Sequence, residues 1–177
     1  MGIPPDALSI EIIVESQLWA AQLEAEGVVR GALGAAAAMV STRPAELAIV
    51  LTDDSAIRAL NREWRGIDKP TNVLSFPVQQ PGALAAEPAQ SAPPMLLGDI
   101  VIAYETTAQE ARTESKRFED HLAHLAVHGY LHLLGQDHED DSDAEAMEGL
   151  ERAILARLGI PDPYAASDLV HTAGSNA

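Results

Sequence analysis

Residues 128–138 read HGYLHLLGQDH, which places two histidines, His128 and His132, four residues apart on a predicted helix. Side chains at this spacing lie about 40° apart around an α-helix and about 6 Å apart along it, so both imidazoles can face one ion. Gly135 predicts the end of the helix and a turn, which brings His138 back toward the pair. We therefore predict that the three histidines hold one metal ion.

The type of ligand indicates which metal and which chemistry to expect. Neutral imidazole suits Zn²⁺, and a three-histidine tetrahedral site keeps its fourth position open for water, as hydrolytic zinc sites do. The chain has no cysteine, so thiolate ligands are excluded. His121 and His124 lie on or near the same helical stripe, but a ligand one turn earlier would have to stretch along the axis while His138 closes from the other end. We predict one Zn²⁺ per chain, with His124 in the core or supporting a ligand.

The spacing of the histidines and the glycine reproduces the metzincin protease pattern H-E-x-x-H-x-x-G-x-x-H with one departure. Metzincins carry a glutamate immediately after the first histidine as the general base, and this chain has Gly129 there. Peptide hydrolysis would therefore lack its proton shuttle. A zinc metalloprotease-like hydrolase stays open as an alternative, which Gly129 disfavours.

Hydrophobic patterning predicts one α+β domain, in which a small mixed four-stranded sheet packs with about five to six helices and carries a zincin-like three-histidine site. Alternating or β-branched apolar residues predict strands at residues 8–15, 47–51, 73–78 and 96–103. Helical spacing predicts helices at residues 19–40, 53 or 54 to about 64, 105–134 with a break near 113–116, and 141–158. The domain is predicted to span residues 1–164, with a Pro-rich surface loop at 79–94 and a flexible C-terminal tail at 165–177.

Two of the predicted helices carry apolar stripes that indicate core contacts. The stripes consist of Ile57, Leu60 and Trp64, and of Met147, Leu150, Ile154 and Leu158. An aspartate at position 53 or 54 predicts the N-cap of the first of these helices.

The charge of the chain is negative and unevenly distributed. Subtracting 27 acidic from 11 basic residues gives a formal charge of −16, which excludes indiscriminate binding to nucleic acid. The acidic run at residues 137–151 predicts a solvated surface. A basic segment that could still bind RNA contains Arg58, Arg62, Arg65 and Lys69.

The sequence predicts no association with a membrane. Its longest apolar stretch, residues 31–40, is about half of the roughly 20 residues that a membrane span needs. The N-terminus has no basic region followed by an apolar one, so we expect neither export nor anchoring. The absence of cysteine fits a cytoplasmic location.

Three stretches together resemble the YbeY family of bacterial single-strand-specific metallo-endoribonucleases. They are HGYLHLLGQDH at residues 128–138, LNREWRGIDKPTNVLSFP at residues 60–77 and LGDIVIA at residues 97–103. The resemblance extends over residues 47–164. Gln136 stands where the family often has an aromatic residue, and Trp64 stands where tyrosine is frequent. Neither departure affects a predicted ligand, so only the shape of the cleft rim differs.

The resemblance implies a zinc site at the three histidines and a functional role for Arg65. It also implies action in 16S rRNA 3′-end maturation and late-stage 70S ribosome quality control. The implied partners are single-stranded rRNA and the small ribosomal subunit, with no membrane and no DNA. A non-catalytic ribosome-assembly factor with a structural metal is the second alternative.

The chemistry of a guanidinium supports the role of Arg65 independently. It can bind two phosphate oxygens at once and stabilise the additional charge of a pentacoordinate transition state. Arg58 and Arg62 share its helical surface at spacings of four and three, and Lys69 extends the same basic segment. Because the chain has few aromatic residues, we expect RNA binding to depend on phosphate contacts, with little sequence preference.

Overall fold

The structure, a computed structural model, describes residues 7–40, 43–78, 94–136 and 140–165. The strands within these ranges are β1 (Leu8–Val14), β2 (Ala45–Thr52), β3 (Val73–Pro77) and β4 (Met95–Ala103). The α-helices are α1 (Ala25–Val40), α2 (Asp54–Arg65), α3 (Tyr104–Thr113), α4 (Phe118–Leu133) and α5 (Asp141–Arg157). A short 3-10 helix, Gln17–Ala21, precedes α1. The predicted α+β class is confirmed.

The strands form one mixed sheet in the order β1-β2-β4-β3. β1, β2 and β4 run parallel, and β3 pairs antiparallel with β4 at one edge. The register between β2 and β4 shifts at Glu46 and Leu47, because β4 carries one additional residue, Leu97, at this point. Gly98, which follows Leu97, has φ +137°, and a Cβ there would lie 2.1 Å from the carbonyl oxygen of Phe76. Glycine at this position therefore lets β3 pair closely with β4.

The two faces of the sheet carry two separate hydrophobic clusters. Alternation along β4 directs Ile100 and Ile102 into the larger cluster, with α1, α4 and α5, and Val101 into the smaller cluster with Ile57 of α2. α4 is the central helix of the larger cluster, with ten of its sixteen residues buried. Side chains on α4 therefore project from a helix that its packing holds in place.

The helix ends follow from local sequence. Asp53 caps α2, accepting from the backbone N–H of Ala56 at 2.9 Å, and Gly66 ends the helix in the left-handed conformation at φ +71°. α4 ends before Gly135, which has φ +91° and donates its N–H to the carbonyl of His132 at 3.0 Å. The predicted cap and the predicted turn after α4 are both confirmed.

Two residues predicted to be core are exposed. Trp64 is 64% exposed, because the smaller cluster ends before the last turn of α2. Leu158 is 37% exposed, because it follows the last residue of α5.

The helix predicted over residues 19–40 is divided into the 3-10 helix and α1.

Two predicted segments lie almost entirely outside the described residues. Only Pro94 of the predicted loop at 79–94 and Ala165 of the predicted tail at 165–177 are described. Among the described helices, none is both long enough and apolar enough to cross a membrane.

Candidate metal centre

The last two turns of α4 bring His128 and His132 together. Their Nε2 atoms lie 3.1 Å apart, and their half-buried rings meet at 77° with centroids 4.6 Å apart. This is the facing pair that a spacing of four on a helix predicts.

The facing Nε2 atoms fit two corners of a tetrahedral zinc site. Zn–N bonds of about 2.0–2.1 Å at tetrahedral angles separate neighbouring ligand atoms by about 3.3 Å, close to the separation of this pair. His138, the third predicted ligand, lies outside the described residues. Among the described residues, no three His, Cys, Asp or Glu side chains are grouped so that they could hold a metal ion. The three-histidine site remains a prediction, and the structure places two of its members together.

A buried carboxylate on α5 contacts the back of this pair. The Glu151 side chain is wholly shielded from solvent, and its Oε1 lies 2.5 Å from Nδ1 of His128. Because an ionised carboxylate can only accept, we assign the proton of His128 to Nδ1. The lone pair on Nε2 of His128 is then directed at His132.

The second oxygen of Glu151 is occupied as well. Oε2 accepts a hydrogen bond from the hydroxyl of Tyr164, and that hydroxyl lies 3.2 Å from Nε2 of His124. Nε2 of His124 is also 3.5 Å from Oε2. His124 therefore supports the carboxylate and lies away from His132. The remaining histidine of α4, His121, is buried and contacts Glu110 at 3.3 Å.

The charge state of this network follows from its contacts. Burial alone would raise the pKa of Glu151, but hydrogen bonds from His124, His128 and Tyr164 outweigh burial and lower this pKa to about 2. Burial and the bond to Glu151 raise the pKa of the Tyr164 hydroxyl above its ordinary range. At neutral pH the carboxylate is therefore charged and the phenol protonated, which keeps Tyr164 the donor and Glu151 the acceptor.

Gly129, which follows the first histidine, faces the sheet. Its carbonyl accepts from Ser75 Oγ at 3.0 Å, and a Cβ at this position would lie 2.7 Å from Cγ2 of Ile100. Ile100 is wholly buried and cannot move aside into solvent. The side chain of a glutamate here would point toward the sheet, into space that Ile100 already occupies. The fold therefore excludes the general base of the metzincin pattern from this position.

The basic segment lies on and just after α2, and its side chains are exposed. Arg58 is paired with Asp68 at 2.9 Å. Arg65 is the last residue of α2, and its side chain makes no hydrogen bond or ion pair with a described residue. No such contact within the described ranges joins Arg65 to His128 or His132. Among the described residues, the structure thus brings the two histidines together and does not join Arg65 to them.

The edge strand β3 lies between the end of α2 and the histidine pair. The ring of Phe76 contacts the ring of Trp64, with centroids 5.9 Å apart. The preceding residue, Ser75, points to the opposite face and bonds to Gly129, next to His128. The two candidate regions therefore lie on either side of one edge strand.

Sequence reasoning missed Glu151, which belongs to the acidic run predicted to be solvated. Its position held a signal, because it lies four residues after Met147 and three before Ile154, both of which are buried. A charged residue on an apolar stripe indicates a buried, partnered group. Tyr164 gave no such signal, because its contact with Glu151 depends on where the chain passes after α5.

Comparisons with known sequences agree on one family, and a comparison with solved structures shows a similar fold. A family model described as "Endoribonuclease YbeY" matches residues 13–159. A relative of that name from Rhodopseudomonas palustris (strain BisA53) is 57% identical over 94% of this chain and 94% of its own. Another, from Nitrobacter winogradskyi, is 59% identical over 88% of this chain and 81% of its own. The solution structure of TM1509 from Thermotoga maritima has a similar fold, with a TM-score of 0.55 and 24% identity over 82% of this chain and 86% of that chain.

The packing around Gly129 predicts a loss of stability on adding one methyl group. We expect Gly129→Ala to lower the free energy of unfolding by about 1–2 kcal/mol, because overpacking against Ile100 outweighs the higher helix propensity of alanine. Gly149→Ala is the matched control, because Gly149 is also helical and its Cβ would meet open space. Urea denaturation of both variants measures the difference. Equal stabilities would mean that the sheet does not press on Gly129.

The Glu151 contact predicts a weaker metal site when the carboxylate is neutralised. We expect Glu151→Gln to reduce zinc affinity about tenfold, because the amide supports the ligand form of His128 less strongly. Chelator competition measures the affinity, and Glu145→Gln, at an exposed position of α5, is the control. In the metal-free wild-type protein, ¹⁵N NMR should locate the His128 proton on Nδ1. A proton on Nε2 together with unchanged affinity would contradict this assignment.

Proposed function

The chain belongs to the YbeY family of endoribonucleases, and from this premise we propose that it hydrolyses single-stranded rRNA at a metal ion held by His128, His132 and His138. The observation that carries the proposal is the 3.1 Å separation of the Nε2 atoms of His128 and His132, backed by the buried Glu151 carboxylate. A facing imidazole pair with one ring oriented by a carboxylate is typical of zinc sites.

We propose one Zn²⁺ per chain, with His128 and His132 as two of its ligands and His138 as the third. When bound, the ion would acidify water and offset the negative charge of the phosphate. Neighbouring side chains orient the ligands. Glu151 keeps the lone pair of His128 directed at the ion position, and Tyr164 and His124 hold the carboxylate in place.

Arg65 is the proposed phosphate-binding group. Its guanidinium has no described partner in the protein, so it can donate to two phosphate oxygens and stabilise the charge that accumulates during cleavage. Arg62 and Lys69, which are also exposed, are proposed to bind neighbouring phosphates. Arg58 contributes less, because its guanidinium is paired with Asp68.

The biological role that we propose is 16S rRNA 3′-end maturation and late-stage 70S ribosome quality control in the cytoplasm. The small ribosomal subunit would present the substrate, because a chain with a net charge of −16 attracts free RNA weakly. Residues 1–164 would form one catalytic domain.

Two alternatives make different demands on the site. A metalloprotease needs a general base that the packing of Gly129 excludes from its usual position. A ribosome-assembly factor with a structural metal needs a fourth protein ligand, which would close the site to water. A zinc-loaded protein that cleaves RNA and loses this activity on chelation would exclude both alternatives.

Loss of either helical histidine should abolish stoichiometric zinc binding. We expect His128→Ala and His132→Ala each to purify with little bound zinc, because two remaining imidazoles hold the ion poorly. His171→Ala removes a histidine outside the proposed ligand set and should keep full occupancy. Metal analysis of the purified proteins measures the effect. Full occupancy in both helical variants would mean that the ligands lie elsewhere.

Loss of the Arg65 guanidinium should impair cleavage and leave the metal in place. We expect Arg65→Ala to retain its fold and zinc and to cleave a single-stranded oligoribonucleotide about 100-fold more slowly, because a donor to transition-state charge is lost. Arg58→Ala removes the same charge from the same helix and should have a much smaller effect. If Arg65→Ala cleaved at the wild-type rate with normal zinc content, Arg65 would have no part in the reaction.

A further inference from the structure

We propose that the exposed ring of Trp64 is a stacking platform for one unpaired base of the RNA substrate. The inference rests on the proposed function for the class of ligand and on the structure for the position. It adds a base contact to the phosphate contacts that the sequence predicts.

The first observation is the exposure of the ring. Trp64 is 64% exposed, whereas the other tryptophan, Trp19, is 3% exposed and donates its Nε1–H to the carbonyl of Thr52 at 2.8 Å. Tryptophan is enriched at binding interfaces, because its large ring is apolar while its N–H can donate a hydrogen bond. The contact with Phe76, at 66° between the rings, holds Trp64 in place while most of it remains accessible.

The second observation is the local charge. Residues 58–69 contain four basic side chains and two acidic ones, Glu63 and Asp68, which gives a net charge of +2 in a chain of net charge −16. Arg65 is adjacent to the ring, and neither it nor Lys69 forms a side-chain salt bridge with a described residue. An aromatic face beside unpaired cations matches the two parts of a nucleotide, its base and its phosphate.

The third observation is the position of the ring relative to the histidine pair. Trp64 contacts Phe76 on one face of the edge strand β3, and Ser75 bonds beside His128 on the other face. A single strand of RNA that crosses this edge can stack one base on Trp64 and direct its phosphates to Arg65 and the histidine pair. A duplex cannot do so, because its bases are already stacked within the helix. The platform therefore provides a physical reason for preferring unpaired RNA.

Tryptophan fluorescence tests the proposal on the zinc-loaded full chain. The difference between the emission of the wild-type protein and that of Trp64→Phe reports on Trp64, because the variant retains only the buried Trp19. We expect a single-stranded oligoribonucleotide to quench this difference signal and a matched duplex to leave it unchanged. Gel analysis after each addition measures the fraction of the oligonucleotide that remains uncleaved, and the quenching is compared at that fraction.

Affinity measurements on substituted proteins complete the test. We expect Trp64→Leu to weaken single-strand binding about tenfold, the loss typical of one base stack, and Trp64→Phe to retain most of the affinity. Leu23→Ala, at a side chain that is 92% exposed and lies just before α1, is the control for loss of an exposed apolar group and should bind normally.

Three outcomes would overturn the proposal. Cleavage of single-stranded RNA without quenching of Trp64 would reject the platform and leave the proposed function intact. Normal RNA binding by Trp64→Leu, with loss of its association with small ribosomal subunits, would assign the ring to a protein contact. Failure of the wild-type protein to bind or cleave any RNA would reject the proposed function itself.

Discussion

The buried charge of Glu151 is the constraint on which the site depends. A carboxylate that no water reaches must be satisfied by protein donors, and here the donors come from α4 and from the segment after α5. Satisfying the charge therefore fixes three things together: the rotation of the His128 ring, the docking of α5 on α4, and the path of the chain through Tyr164. The orientation of His128 in the histidine pair therefore follows from the need to surround the buried carboxylate of Glu151 with hydrogen-bond donors.

The packing of α4 supplies the second constraint. Gly129 allows the helix to approach β4 and β3 so closely that an added Cβ would lie 2.7 Å from Ile100 and 3.2 Å from Ser75. The same approach that positions His128 removes the space for a protease-type base. The absence of a Cβ at Gly129 therefore lets α4 pack closely on the sheet, and this close packing disfavours a glutamate at the same position. Within the described part of the site, Glu151 contacts His128, and Tyr164 and His124 contact Glu151.

Local patterns explain what the sequence could predict. The histidine pair depends only on a spacing of four, the N-cap of α2 only on Asp53, and the turn after α4 only on Gly135, so each was predictable. Burial depends on distant parts of the chain, so it could not be predicted from local patterns. Trp64 continues the stripe of Ile57, yet the core ends before it, and Glu151 lies in an acidic run, yet its neighbours along α5 bury it. Both incorrect predictions of burial concern residues at the limit of the core, and both residues have a part in the functional proposals.

X-ray absorption spectroscopy of the zinc-loaded full chain tests the central claim most directly, because it reports the atoms around the ion. We predict a four-coordinate shell of three imidazole nitrogens at about 2.0–2.1 Å and one exchangeable oxygen. The oxygen contribution should change when a phosphate ester is added. A shell with fewer than three imidazoles, or one closed by a fourth protein ligand and unchanged by phosphate, would contradict a hydrolytic three-histidine site.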